Sequence, residues 1–180
     1  MNPERTLSSE TVFQGRVVKK LRVDHVLTPS GRKVTREIVE HAPAVCIVAV
    51  DRDGRIVLER QYRLATQETL LEIPAGGMDP DEDPLAAAQR ELLEETGFTA
   101  REWKKLGGFY SAPGFCTEFL HLFLARDLTQ TGAHPEEDED IELVLTPVAD
   151  IPGLIATGAI HDGKSVAGLL QALYVEGLAR

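Results

Sequence analysis

The stretch from Leu71 to Phe98 constrains this chain more than any other part of it. It begins apolar, Leu71-Glu72-Ile73-Pro74-Ala75, and runs through Gly76-Gly77 into a Pro- and Gly-rich loop over residues 74–83. A helix over 84–96 must follow. Asp83 can accept from the first free N–H groups as the N-cap, and Pro84 suits the first helical position. Gly97 stands where a left-handed glycine ends a helix. On a helical wheel, Leu85, Ala88 and Leu92 form one apolar stripe. Glu91, Glu94 and Glu95 share an arc beside it, related by three and four residues, so their carboxylates reach one patch of space.

Two readings of that patch stay open on the wheel alone. One is a solvated acidic face, the usual fate of a charge cluster. The other is a metal site. Glu91 and Glu95 repel each other at i, i+4, at a cost of a few tenths of a kcal/mol, roughly. Neither has a lysine or arginine one turn away; only Glu94 has one, in Arg90. A hard divalent cation such as Mg²⁺ or Mn²⁺ removes the repulsion, because it seeks carboxylate and phosphate oxygens. Gly76 and Gly77 add that backbone can approach a ligand closely here.

The rest of the chain supplies a sheet for this unit. β-branched, alternating segments predict strands over residues 12–18, 22–27 and 34–39. Residues 44–50 and 55–61 read as a hairpin around Asp53-Gly54. Further strands are expected near 103–110, 119–125 and 141–145. The end of the chain reads as helical, over 165–178, with Val166, Leu169, Leu170 and Leu173 facing the sheet. Strands mixed with helices give an α+β or mixed α/β/α class.

Composition narrows the function. A net charge of −10 argues against nucleic-acid binding, which needs a basic face. It still allows a phosphate-bearing small substrate where cations intervene. No apolar run is long enough to span a bilayer, and the polar first ten residues lack a secretory signal. Cys46 and Cys116 cannot form a disulfide framework and lack metal-ligand spacing. A cytoplasmic protein with no membrane partner is expected. The histidines, His41 included, show no metal spacing, and the single Trp103 reads as core.

Gly76, five residues, Glu82, seven residues, then Arg90-Glu91-Leu92-Leu93-Glu94-Glu95-Thr96-Gly97-Phe98 resembles the Nudix box at every specified position. The resemblance implies an α/β/α sandwich with a mixed sheet, preceded by N-terminal antiparallel strands. It implies that Glu91, Glu94, Glu95 and the Ala75 carbonyl hold Mg²⁺ or a similar ion. Glu82 and Arg90 would brace loop against helix, while Gly76 and Gly97 would serve conformation.

Outside the box, Pro113 lies fifteen residues past Phe98, in Ser111-Ala112-Pro113-Gly114-Phe115-Cys116-Thr117-Glu118. That segment, Arg60-Gln61-Tyr62-Arg63 and Arg36-Glu37-Ile38-Val39-Glu40-His41 are similar to segments of ADP-ribose pyrophosphatases. The likeness implies hydrolysis of ADP-ribose to AMP and ribose 5-phosphate. Alternatives are another nucleoside diphosphate sugar such as GDP-mannose, or a catalytically silent nucleotide sensor. Against the sensor, the chain keeps Glu82, Glu91, Glu94 and Glu95.

The same likeness places the general base at Glu137, with Glu136 one residue away as the alternative, and an accessory metal ligand at Glu139. By residue type alone the run Glu136-Glu137-Asp138-Glu139-Asp140 is a solvated acidic stretch. Glu137, Glu91 and Glu95 would then be the catalytic set. Arg63, Arg36, Glu72, Glu118 and Pro113 would meet the substrate. For Arg63 the competing reading is a surface strand arginine, for Arg36 a surface salt bridge, and for Glu72 a loop anchor. Residues 1–41 would form an extension that pairs two subunits into a homodimer and completes the pocket of a Nudix domain over 42–180.

Overall fold

In a computed structural model, which describes residues 2–132 and 140–178, helix α1 spans Pro84–Thr96 with the caps read from sequence. Asp83 accepts from the N–H groups of Leu85 and Ala86 at 2.9 and 3.2 Å. Gly97 takes φ 69° and donates to the Leu93 carbonyl at 2.9 Å. These local signals are enough to fix both ends of the helix.

Strands β4 (Ala44–Ala49) and β9 (Phe119–Gln130) run parallel at the centre of a four-stranded sheet. Its order is β7-β4-β9-β8, with β7 at Ala75–Gly77 and β8 at Phe98–Tyr110. Every residue of β4 is buried, as suits a strand covered on both faces. Val45, Ile47 and Ala49 pack with Ala87, Ala88 and Leu92 of α1. Cys46, Val48 and Val50 pack with Ile151 of α2 (Ile151–Ala156) and Leu169 of α3 (Gly163–Leu170). The result is a helix–sheet–helix sandwich around a mixed sheet.

A second sheet, order β10-β5-β6, is antiparallel and comprises Ile141–Pro147, Arg55–Arg63 and Glu68–Glu72. The expected hairpin of residues 44–50 with 55–61 is therefore corrected. The turn forms, with Asp51 Oδ1 accepting from the N–H groups of Asp53 and Arg55. Beyond the single bridge Val50–Ile56, however, the strands part. Each strand has two edges: β4 gives its own to β7 and β9, and β5 gives its own to β10 and β6.

The third sheet, β1-β2-β3, is an antiparallel meander of Arg5–Phe13, Val18–Leu27 and Lys33–His41. Sequence reading set the first strand at 12–18. The structure instead breaks there, at a turn in which Gly15 N–H donates to the Val18 carbonyl. β1 is exposed along its whole length in the single chain, so no apolar alternation marks it.

β7 and the C-terminal helix also differ from expectation. β7 lies inside the stretch read as loop, because a strand containing two glycines has no side-chain signature. Helix α3 starts at Gly163 and passes into a π-helical turn, Gln171–Val175, instead of running over 165–178. Leu169 and Leu173 are buried and Val166 packs against them, whereas Leu170 is exposed. Among the described residues no helix is long and apolar enough to cross a membrane.

Contacts divide the chain into two compact units. One joins Met1–Pro43 with Tyr110–Phe119; the other comprises Ala44–Phe109 and Leu120–Arg180.

Candidate active site

Within the second unit, the β7 loop and the charged flank of α1 enclose a cavity of about 180 Å³. Ala75, Gly76 and Gly77 form one wall, and Arg90, Glu91, Glu94 and Glu95 another, with Arg63 beside them. The three box glutamates thus share one small space. A wider groove of about 650 Å³ lies over Leu71, Val144 and Leu154, but its lining is mostly apolar. The ionisable cavity is the one equipped for chemistry on a charged substrate.

Arg90 organises the helix side. Its guanidinium donates twice to the Glu82 carboxylate, at 3.0 Å each, and also to Glu91 at 2.8 Å, Glu94 at 3.0 Å and the Gly77 carbonyl at 3.0 Å. Hydrogen bonding to Glu82, with that to Glu91 and Glu94, pushes its pKa further above the usual arginine value against some burial. In return, the bond from Arg90 and one from the Asp79 N–H hold Glu82 below the usual carboxylate range. Glu91 has no lysine or arginine one turn away on the helix, yet the adjacent Arg90 pairs with it. Adjacent residues diverge on a wheel, but the long arginine side chain reaches back to its neighbour.

Gly76 explains how the loop comes so close. A Cβ built on it would lie 2.0 Å from the Glu91 carboxylate carbon, so any larger residue displaces that carboxylate. Glu95 is buried, and its Oε2 accepts from the Ala75 N–H at 3.0 Å. This contact ties the helix to the strand whose carbonyl was expected among the metal ligands.

Strand-side order comes from Glu72. Its buried carboxylate accepts from Arg63 Nη2 at 2.7 Å and from Lys164 Nζ. Burial disfavours its charge, but Arg63 and Lys164 more than compensate, and its pKa sits below the usual range. Arg63 shows the same balance from the cationic side. Burial works against its charge, yet Glu72, with the fields of Glu95 and Glu59, raises its pKa. It is thus a half-buried wall residue of the cavity and not a plain surface arginine.

Other expected residues sit in the first unit. Arg36 is held by Glu4, at 2.6 and 3.1 Å. Glu118 lies 3.4 Å from His41 Nδ1. Pro113 belongs to the segment 110–119, whose Phe115 and Thr117 backbones bond to Val39. Glu137 and Glu139, with the alternative Glu136, fall outside the described residues. Trp103 packs edge-on against Phe123, as a core residue does. Lys164 was missed altogether; in sequence it stands 92 residues from Glu72, with only the capping Asp162 to mark its position.

Among the described residues no three His, Cys, Asp or Glu side chains are drawn together as a metal cage. Glu91 and Glu94 turn to Arg90, and Glu95 to Ala75. The donor set still fits a hard divalent ion. The cavity's acidic lining is all carboxylate, without sulfur or imidazole, beside backbone held close by Gly76.

The model of the NUDIX domain family matches residues 40–169. An ADP-ribose pyrophosphatase of Bacillus subtilis is 38% identical, covering 97% of this chain and 95% of its own. A methanol dehydrogenase activator of Bacillus methanolicus is 39% identical over the same shares. An ADP-ribose pyrophosphatase of Mycobacterium tuberculosis is 41% identical, covering 92% of this chain and 81% of its own. A solved structure titled as an ADP compounds hydrolase superposes with a TM-score of 0.88 at 26% identity, covering 99% of this chain and 98% of that one.

Proposed function

Because this chain belongs to the Nudix hydrolase family, whose enzymes need a divalent cation, we propose that it hydrolyses the pyrophosphate bond of ADP-ribose to AMP and ribose 5-phosphate, using Mg²⁺ or Mn²⁺. The observation that carries this reading is the cavity in which Glu91, Glu94 and Glu95 meet the Gly76 loop and Arg63. The relatives named for ADP-ribose support the substrate.

Glu91, Glu94, Glu95 and the Ala75 carbonyl would hold the ion. When bound, the cation neutralises phosphate oxygens and eases deprotonation of water. Arg63 would receive a phosphate oxygen, since a guanidinium pairs well with that geometry. Arg90 and Glu82 would keep loop and helix in register, with Gly76 and Gly97 giving the backbone its shape. Glu137 would take the proton of the attacking water, Glu139 would assist the metal, and Glu72, Arg36, Glu118 and Pro113 would shape the substrate pocket.

A panel containing ADP-ribose and GDP-mannose, assayed for released phosphomonoesters, tests the substrate. ADP-ribose should give AMP and ribose 5-phosphate, and chelation should stop the reaction. Glu95→Gln should abolish turnover while the protein stays folded. Cleavage of GDP-mannose with no turnover of ADP-ribose would replace the substrate. No turnover of any pyrophosphate, by either form, would favour a nucleotide sensor.

The reading extends to a homodimer built through residues 1–41 and to a cytoplasmic setting. Exposure of Val12 and Phe13 on β1 supports the first, and the fact that neither Cys46 nor Cys116 is in a disulfide supports the second. Light scattering that gave a monomer at micromolar concentration would overturn the dimer.

A further inference from the structure

We propose that Lys164 is a positioning residue of this site: by sharing the Glu72 carboxylate with Arg63, it fixes where the Arg63 guanidinium stands in the cavity wall. The inference rests on the reading that Arg63 meets substrate phosphate.

The geometry forms a continuous relay. Asp162 caps α3, its Oδ1 accepting from the Ser165 N–H at 3.0 Å. The same oxygen accepts from Lys164 Nζ at 3.1 Å. Lys164 Nζ then donates to Glu72 Oε2, the oxygen that also accepts from Arg63 Nη2 at 2.7 Å. Arg63 Nε approaches the second oxygen, Oε1, at 3.4 Å. A guanidinium engaging both oxygens takes its plane from the carboxylate, and Lys164 sets that carboxylate from the other side. The same helical turn grips the strand next to Glu72, where Ile73 N–H donates to the buried Ser165 hydroxyl at 2.9 Å.

Charge points the same way. Arg63 stands in the fields of Glu72, Glu95 and Glu59. The partly buried ammonium of Lys164 offsets part of that negative field, so less of the Arg63 charge is spent on its neighbours. Removing it lets Arg63 close more tightly on Glu72 and withdraw from an incoming phosphate.

The test is a double-mutant cycle on the full chain, using Lys164→Met, Lys164→Arg and Arg63→Ala. Lys164→Met should raise KM for ADP-ribose about tenfold and change kcat less than about threefold. Lys164→Arg should restore most of the loss. In the Arg63→Ala background, Lys164→Met should change KM by less than about twofold, because its route is gone. A full, additive penalty in that background would overturn the proposal, as would an unchanged KM. A second readout needs no turnover: the Arg63 Nε–H signal in ¹⁵N NMR should shift in Lys164→Met, and an unmoved signal is again fatal. That signal still decides the matter if wild type does not cleave ADP-ribose, a result that would count against the function alone. Should Lys164→Met not fold, Asp162→Asn keeps a capping oxygen and should shift the same signal in the same direction.

Discussion

Two ion-pair networks flank the cavity, and they are built in opposite ways. On the strand side one carboxylate, Glu72, sits between two cations, Arg63 and Lys164, with its side chain 4% exposed. On the helix side one cation, Arg90, sits among Glu82, Glu91 and Glu94, and the last of these is 41% exposed. The buried network balances Arg63 and Lys164 against Glu72 and Asp162 and ties two elements of the fold together. The open network carries an excess of negative groups that one guanidinium cannot neutralise. The first therefore bears on stability and on holding an arginine ready. The second keeps carboxylates gathered where a cation can meet them.

The largest expected effect falls on the buried side. Glu72→Ala removes the shared partner of Arg63 and Lys164. Because Arg63 is 39% exposed and Lys164 keeps Asp162, the cost should fall at the low end of that for a buried pair, about 3 kcal/mol. Urea denaturation should show it. Glu82→Ala on the open side should cost about 1 kcal/mol, as partly solvated pairs do. Equal losses at the two sites would erase the contrast.

Acid should probe the buried side directly. The folded pKa of Glu72 is depressed, so between that value and its unfolded pKa the unfolded chain binds the proton more readily. Its stabilising contribution is complete above the ordinary glutamate pKa and is lost as pH falls through the depressed one. Urea midpoints followed downward from about pH 6 should drop less steeply in Glu72→Gln than in wild type. Parallel curves would remove Glu72 as a source of acid sensitivity.

Next in size is an effect on activity with little effect on fold. Gly76→Ala places a methyl group 2.0 Å from the Glu91 carboxylate carbon. The carboxylate can swing aside, so the protein should still fold, but displacement by about 1 Å near reacting groups costs on the order of 10²-fold in rate. Steady-state kinetics beside a melting curve would check both halves. A variant as active as wild type would show that the position of Glu91 does not matter.

What could be read from sequence follows the range of the interaction responsible. Helix α1 was legible to the residue because Asp83, Pro84 and Gly97 act within one turn of where they stand. The box residues were legible as a group because helical spacing alone gathers them. Pairing of β4 with β9 was not, since it joins Ala44 to Leu120, and a strong Asp53-Gly54 turn signal suggested the wrong partner. β1 was misplaced because an exposed strand needs no apolar alternation. Lys164 was invisible for the reason β4's partner was: its contact is made by the tertiary fold, and a lone lysine after an N-cap carries no pattern.

The smallest effect falls on Leu85, in the apolar stripe of α1 where sequence places Leu85, Ala88 and Leu92 on equal terms. Leu92 is fully buried against the central sheet, whereas Leu85, in the first turn of the helix, stays 37% exposed. Truncating Leu92 to Ala leaves a cavity and should cost about 2–5 kcal/mol. Leu85→Ala removes a side chain that water already reaches, and alanine is the better helix former, so the change should stay within about 0.5 kcal/mol of neutral. Turnover should be unaltered as well, because the carboxylates lie further along the helix. Chemical denaturation of the pair would measure the difference. A loss at Leu85 approaching that at Leu92 would mean that something covers the start of α1 in solution.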